Sequence, residues 1–296
     1  GLRKCVTIVE SNPGLEDFVT DALAVPNYWK TMTRCEGGFT HYALHAIPDG
    51  RDQEFERYLA ETQRRGLVRK YEMAWVSDYH YGFPNFELYE PRTRAWMFRW
   101  DAWTDSVNEK KRLKEIRDPA RYSIEADKSD LLILVELEIN ARTKFSEMAK
   151  VVGITLQAVK YRYDRRIIPR GLVKDFAINV LPYPLELSDM YEVLVSFEDE
   201  ESMSAFYAAT EEMFPVLRVV KVLGERKLGV RTYTPRSETG SLFAMLSKLA
   251  RSGLVSDYSA IRLRPETNHT QTISAELFEN KVGWKYEPGQ HLAALD

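Results

Sequence analysis

The chain has 296 residues, 44% of them apolar and 29% charged, with a formal charge of −3. That length predicts two or three domains with ample core, and the charge excludes a polybasic coat, so nucleic-acid contact has to come from a local basic patch. No run reaches the roughly 18 apolar residues of a membrane-spanning helix, and Cys5 and Cys35, lacking CxxC spacing, point to inert thiols in a reducing, cytoplasmic setting.

Residues 3–10 (RKCVTIVE) are β-rich, and SNPG breaks the run. The next segment, LEDFVTDALAV, places Leu15, Phe18, Val19, Ala22 and Leu23 at helical spacing. NYWKTMTRCE and FTHYALHAI then read as paired strands around Gly37 and Gly38. A second helix carries Phe55, Tyr58 and Leu59 and ends at Gly66, a C-cap, before the strand LVRKYEMAWV.

Far along the chain the same order returns. DMYEVLVSF is a strand, EESMSAFYAATEEM a helix, and VLRVVKVLGE with RKLGVRTYT a hairpin around Gly224. SETGSLFAMLSKLARSG is a helix with Leu242, Met245, Leu246 and Leu249 on one side, and LVSDYSAIRL closes the unit. The phrases RRGLVRKYEM and RSGLVSDYSA mark the same joint in two copies, and each copy is followed by a hairpin candidate, FELYEPRTRAWMFRW or ISAELFENKVGWKYEP. The order βαββαβ is the ferredoxin-like arrangement, an α+β fold with helices on one sheet face.

Between the copies, residues 129–137 supply a helix with Leu131, Leu134, Val135 and Leu137 for a core. FSEMAKVVG is a second helix with Ser146 as its N-cap, Gly153 makes a turn, and Thr155 caps a third helix running towards Arg166. A short β-wing follows. Two short helices joined through Gly, the second basic, form a helix-turn-helix pattern. Lys160, Arg162, Arg165, Arg166, Arg170 and Lys174 face a single acid, Asp164, inside a net-acidic chain. The expected domains are 1–104, a linker at 105–123, 124–184 for the helix-turn-helix, and 185–296.

The central stretch resembles the winged helix of the leucine-responsive regulatory protein (Lrp/AsnC) family. The resemblance is carried by Asp127 and Asp130, Ile133–Leu134, Asn140 with Arg142, and Ser146, Met148 and Ala149. It continues through Val152–Gly153–Ile154–Thr155, Val159 and Arg162. Two departures stand out: the interval from Arg162 to Gly171 is one residue longer than the family's, and Pro169 interrupts the helix–wing junction. The resemblance implies a regulator that binds double-stranded DNA, with an effector and oligomerisation unit of βαββαβ type. Gln157, Lys160, Tyr161 and Arg162 are then the expected base or sugar contacts and Arg165, Arg166 and Lys174 the phosphate contacts, with Thr155 and Ala158 also expected at the DNA. EGGFTHYALHA is similar to the family's effector hairpin, so Gly37, Gly38, Phe39, Thr40 and His41 are the expected site for a small effector such as an amino acid, while GERKLGV in the second copy lacks the matching pair. The two βαββαβ units are expected to pair within the chain as a pseudo-dimer, or between chains as a homodimer. GLRK at residues 1–4 resembles GLVK at 171–174, which leads to the expectation of a natural tandem whose first winged helix this chain lacks.

Other chemistry is thinly represented. His41 and His45, four apart on a strand, sit about 13 Å from each other, too far for one metal, so no metal or cofactor is expected. There is no HExxH, P-loop, GxGxxG or GxSxG. The aromatic groups at 79–83 and 96–103 read as core or interface in preference to a pocket. Two alternatives remain to the regulator. Tetrapyrrole (siroheme) decarboxylases resemble this family, and Arg34, His41 and Tyr42 would carry that chemistry. A sensing or interaction module without DNA binding would instead use Tyr161 and Tyr163 against a partner.

Overall fold

Period-two alternation of apolar residues, broken by Gly, Pro and Asn, sets the strands, and apolar residues three and four apart set the helices. The computed structural model describes residues 1–82, 85–120, 122, 125–174, 176 and 181–295. The first unit runs β1 (Leu2–Ser11), α1 (Glu16–Ala24), β2 (Trp29–Glu36), β3 (His41–Pro48), α2 (Asp52–Arg64) and β4 (Val68–Val76). Its tail holds β5 (His80–Tyr81), β6 (Tyr89–Glu90), β7 (Ala95–Trp96) and α3 (Trp100–Asn108). Three central helices follow: α4 (Lys128–Ile139), α5 (Phe145–Val152) and α6 (Leu156–Arg162). The second unit repeats the order with β8 (Ser188–Phe197), α7 (Glu200–Thr210), β9 (Val216–Lys221), β10 (Lys227–Pro235), α8 (Arg236–Arg251) and β11 (Val255–Leu263). A second tail adds β12 (His269–Thr270), β13 (Phe278–Glu279), β14 (Gly283–Trp284) and α9 (Pro288–Ala293). The fold is α+β, with both ferredoxin-like units flanking the helix-turn-helix.

The repeated phrase is one structural device used twice. Gly66 and Gly253 both take positive φ just past α2 and α8. Leu67 N–H then donates back to Thr62 C=O at 3.0 Å, and Leu254 N–H to Leu249 C=O at 3.2 Å. This six-to-one closure satisfies a terminal carbonyl and aims the chain into the last strand, and a side chain at the glycine would oppose it.

The strand order is β4-β1-β3-β2-β11-β8-β10-β9-β5, so two sheets are stitched edge to edge. One seam pairs Glu36 with Arg262 and Cys35 with Leu263. The other joins Val76 to Val222 and carries β5 onto β9. Each seam joins the hairpin strand of one unit to the last strand of the other, as a pseudo-two-fold relation requires. Between the sheets lie Val6, Ile8, Tyr42, Leu44, Val220, Tyr233 and Ile261. The opposite faces pack on helices, with Val9, Leu23, Phe55 and Leu59 in the first unit and Val195, Phe206, Leu228 and Leu249 in the second. Pairing within the chain is thus the observed arrangement.

The tails are exchanged. Trp103, Val107 and Ile116 enter the second unit's core, and Trp103 Nε1–H donates to Ala209 C=O at 2.7 Å. Trp96 stacks on Phe214 with ring centroids 3.9 Å apart. Reciprocally, Tyr286 joins the first unit's core, with Trp284 and Leu292 packed against it. Packing therefore crosses the boundary drawn at residue 104, and the aromatic runs serve as interface. Burying each such side chain contributes roughly 2 kcal/mol. Two expectations need correction. Phe18 is 63% exposed, because only Val19, Ala22 and Leu23 of α1 face the sheet. Ser146 lies inside α5, whose N-cap position is Lys144. Phe83 and much of the expected wing, residues 175 and 177–180, lie outside the described residues.

Candidate nucleic-acid interface

The helix-turn-helix is built from its caps inward. Asp127 caps α4: its carboxylate accepts from Ser129 and Asp130 N–H, and Asp130 accepts from Asp127 N–H at 3.2 Å. This reciprocal box satisfies end-of-helix donors. Leu131, Ile133, Leu134 and Leu137 of α4 close on Met148 and Val159. Gly153 takes φ 74° between α5 and α6, and Thr155 Oγ1 caps α6 by accepting from Ala158 N–H at 3.1 Å. A π-helical turn at Tyr163–Ile167 follows α6, and in it Ile168 N–H donates to Tyr163 C=O.

That turn fixes two expected DNA contacts elsewhere. Arg162 Nη1 donates to Asp127 and to Asp130, each at 2.8 Å. Arg166 lies 3.0 Å from Asp127 and 2.8 Å from Asp130. The Asp130 side chain is completely buried. Burial raises the Asp127 acid, but the hydrogen bond from Arg162 and the two guanidinium charges hold it below the ordinary carboxylate range. Arg162 and Arg166, two of the expected DNA contacts, thus brace α6 and the turn after it against the start of α4. Lys174 donates to Asp78 at 2.7 Å and is likewise engaged, and Arg170 donates to the Glu125 carbonyl.

What remains outward on α6 and the turn after it is a different set. Gln157, Lys160, Tyr161 and Arg165 are exposed, as is Thr155 at the cap, while Ala158 is half-buried. Lys160 and Arg165 make no ion pair with any described residue. The unit is docked through α4: Lys128 Nζ donates to the Phe278 carbonyl at 3.1 Å, and Glu138 accepts from Lys30 Nζ at 3.1 Å and from Ile273 N–H at 2.7 Å. Docking through α4 leaves α6 on the outside.

The expected effector hairpin is differently occupied. Thr40 Oγ1 accepts from Ser11 N–H at 2.9 Å, and His41 contacts Thr40 Oγ1 and Thr20 Oγ1 through its two ring nitrogens at 2.8 and 3.0 Å. Gly37 and Gly38 are exposed, and Phe39 lies under Lys70. The polar side chains of that hairpin are spent within their own unit. His45 is equally satisfied, by Thr7 Oγ1 and the Leu23 carbonyl. Burial pushes both histidines down to about 4. Arg34 is held by Asp17, and Tyr42 points to the opposite sheet face from His41, so the alternative's three residues do not converge. No group of three potential metal ligands occurs among the described residues, and none of their helices is long and apolar enough to cross a membrane.

A set the sequence reading passed over lies between the sheets. Glu192, Arg231 and Arg218 occupy one rung across β8, β10 and β9. Arg231 Nε donates to Glu192 at 2.7 Å. The available signal was a charged residue at the centre of each of three apolar strands.

A family model described as the AsnC-type helix-turn-helix domain matches residues 127–165. The central unit is an AsnC-type helix-turn-helix domain. The stretch it covers includes the braced aspartates and the whole of α6. An uncharacterised helix-turn-helix-type transcriptional regulator of Pyrococcus abyssi is 30% identical over 78 residues, covering 26% of this chain and 51% of that protein. The chain thus spans about half the length of the curated relative it matches. Among solved structures, the siroheme decarboxylase NirDL in complex with an iron-uroporphyrin III analogue aligns over 100% of this chain and 80% of its own. Its TM-score is 0.53 at 9% identity, a likeness of fold. A transcriptional regulator of Neisseria meningitidis, solved with L-Met, aligns over 50% of this chain and 95% of its own, with TM-score 0.41 and 22% identity.

Proposed function

We propose that this chain is a DNA-binding transcriptional regulator of AsnC type, reading the major groove with α6. One observation carries the reading: α6 and the turn after it are braced from behind by two ion pairs to the buried Asp130 and present Gln157, Lys160, Tyr161 and Arg165 to solvent. Gln157 and Tyr161 are assigned to base edges and sugar, Lys160 and Arg165 to phosphates. The decisive experiment is a fluorescence-anisotropy titration against the gene's own upstream duplex at two salt concentrations. Affinity falls steeply with salt, and Lys160→Ala or Arg165→Ala each lowers the salt slope by about one. No binding at low salt overturns the reading.

A second reading, an enzyme acting on a tetrapyrrole, draws support from the full-length likeness to a siroheme decarboxylase. A coloured macrocycle co-purifying with the protein, or a Soret shift on titration with iron-uroporphyrin III, supports it. A colourless protein with no such shift removes it.

A further inference from the structure

Three adjacent strands place one carboxylate and two guanidiniums on one rung facing the other sheet. Arg231 is 7% exposed and Glu192 1%, and Arg218 Nη2 lies 3.8 Å from the oxygen of Glu192 that Arg231 already holds. One negative charge against two positive charges leaves one cation uncompensated in a low-dielectric interior, a costly arrangement unless an anion completes it.

The hydrogen-bond inventory points the same way. Arg231 lies over the Tyr42 ring, 4.6 Å from its centroid, and Arg218 over Tyr79 at 4.2 Å. Arg218 Nη2 donates to Tyr42 Oη at 3.3 Å. Yet Arg218 Nε, Arg231 Nη2 and Tyr79 Oη are buried with no hydrogen-bond partner. Each orphaned donor costs about 1–3 kcal/mol. All three residues line one cavity of about 500 Å³, whose apolar wall includes Leu44, Met190 and Leu217. Lys4 and Lys30 also reach this cavity, Lys30 paired with Glu138 and Lys4 sharing Asp78 with Lys174.

We propose that the space between the sheets binds a small organic monocarboxylate with an apolar body. The carboxylate accepts from Arg231, Arg218 and Tyr79, and the body lies on Leu44, Met190 and Leu217. The one guanidinium on the rung without a carboxylate of its own matches a single carboxylate, and the volume is that of a small-molecule site. The site stands independently of DNA binding.

The test is calorimetric titration of the full chain with sodium benzoate, with benzamide as the uncharged control. Benzoate binds and raises the melting temperature, and benzamide does neither. Tyr79→Phe, which keeps the ring, weakens benzoate several-fold. Glu192→Gln combined with Arg231→Gln, which leaves no unpaired buried carboxylate, weakens it by about tenfold or more, the loss of a charge-assisted hydrogen bond. Equal affinity for benzamide, wild-type affinity in both variants, or neither heat nor melting shift at millimolar benzoate overturns the proposal.

Discussion

Replacing Arg162 with Ala separates bracing from DNA contact. The substitution removes the donors to Asp127 and Asp130. Asp130 is buried but keeps Arg166 at 2.8 Å, and Asp127 keeps Arg166 at 3.0 Å, so neither carboxylate is left alone. Breaking a fully buried pair costs about 3–5 kcal/mol. With Arg166 remaining and Arg162 itself 21% exposed, the expected loss is about 2–3 kcal/mol, confined to the helix-turn-helix. That corresponds to opening of α4–α6 increased roughly 30- to 150-fold. Native-state hydrogen exchange reads it directly, because local opening and global unfolding are separately resolved. Amides of α4 around Leu131 and of α6 around Val159 should lose protection, while β8 and β10 keep theirs. Unchanged protection together with weakened DNA binding would refute the bracing argument and restore Arg162 as a contact.

Gly229→Ala places a Cβ 3.0 Å from Val220 Cγ2 and 3.3 Å from Glu192 Oε1, so it should destabilise the protein by about 1–2 kcal/mol, read by urea titration. Trp103→Ala should cost about 3–5 kcal/mol and strip protection from the second unit although the residue follows the first in sequence. Buried His45, held near 4 when folded and about 6.5 when unfolded, gives stability that is full above pH 6.5 and lost as pH falls towards 4, by at most about 3 kcal/mol. His45→Gln should flatten the stability profile across that window by about one proton, and an unchanged slope would show that His45 titrates normally.

Element order was legible because each strand and helix keeps its own period and is bounded by Gly, Pro or Asn. The joint at Gly66 and Gly253 was legible because only a glycine-ended helix needs that phrase. The role of α6's arginines was readable too. Arg162 lies three residues beyond Val159, the buried position of the helix, and so shares its face, and Arg166 one turn on meets the same two aspartates. Family likeness pulled them outward, and periodicity turns them in. The interior rung was harder to read. A charge in an alternating strand normally marks its solvent face, and only the second sheet, distant in sequence, buries Glu192, Arg218 and Arg231. The tail exchange has no local signal, since FELYEPRTRAWMFRW is equally apolar against either unit.

Closure of the sheets bears on how such a chain would engage DNA. In each unit the hairpin strand is paired by the other unit's last strand or tail: β2 takes β11 and β12, and β9 takes β5. The remaining outer strand of the first sheet, β4, shows Arg69, Lys70 and Glu72 to solvent, charges that oppose strand-to-strand addition. The hairpin-strand edges of both units are therefore already paired inside one chain. On the proposed DNA-binding reading, a chain with one α6 would engage one half-site. Sedimentation of the protein should give one chain's mass, and titration on a palindromic duplex should show two independent sites with no cooperativity. A stable dimer, or a steep binding curve on the palindrome that flattens on a half-site, would mean that a surface other than the sheet edges pairs the chains, and the argument from closure would fail.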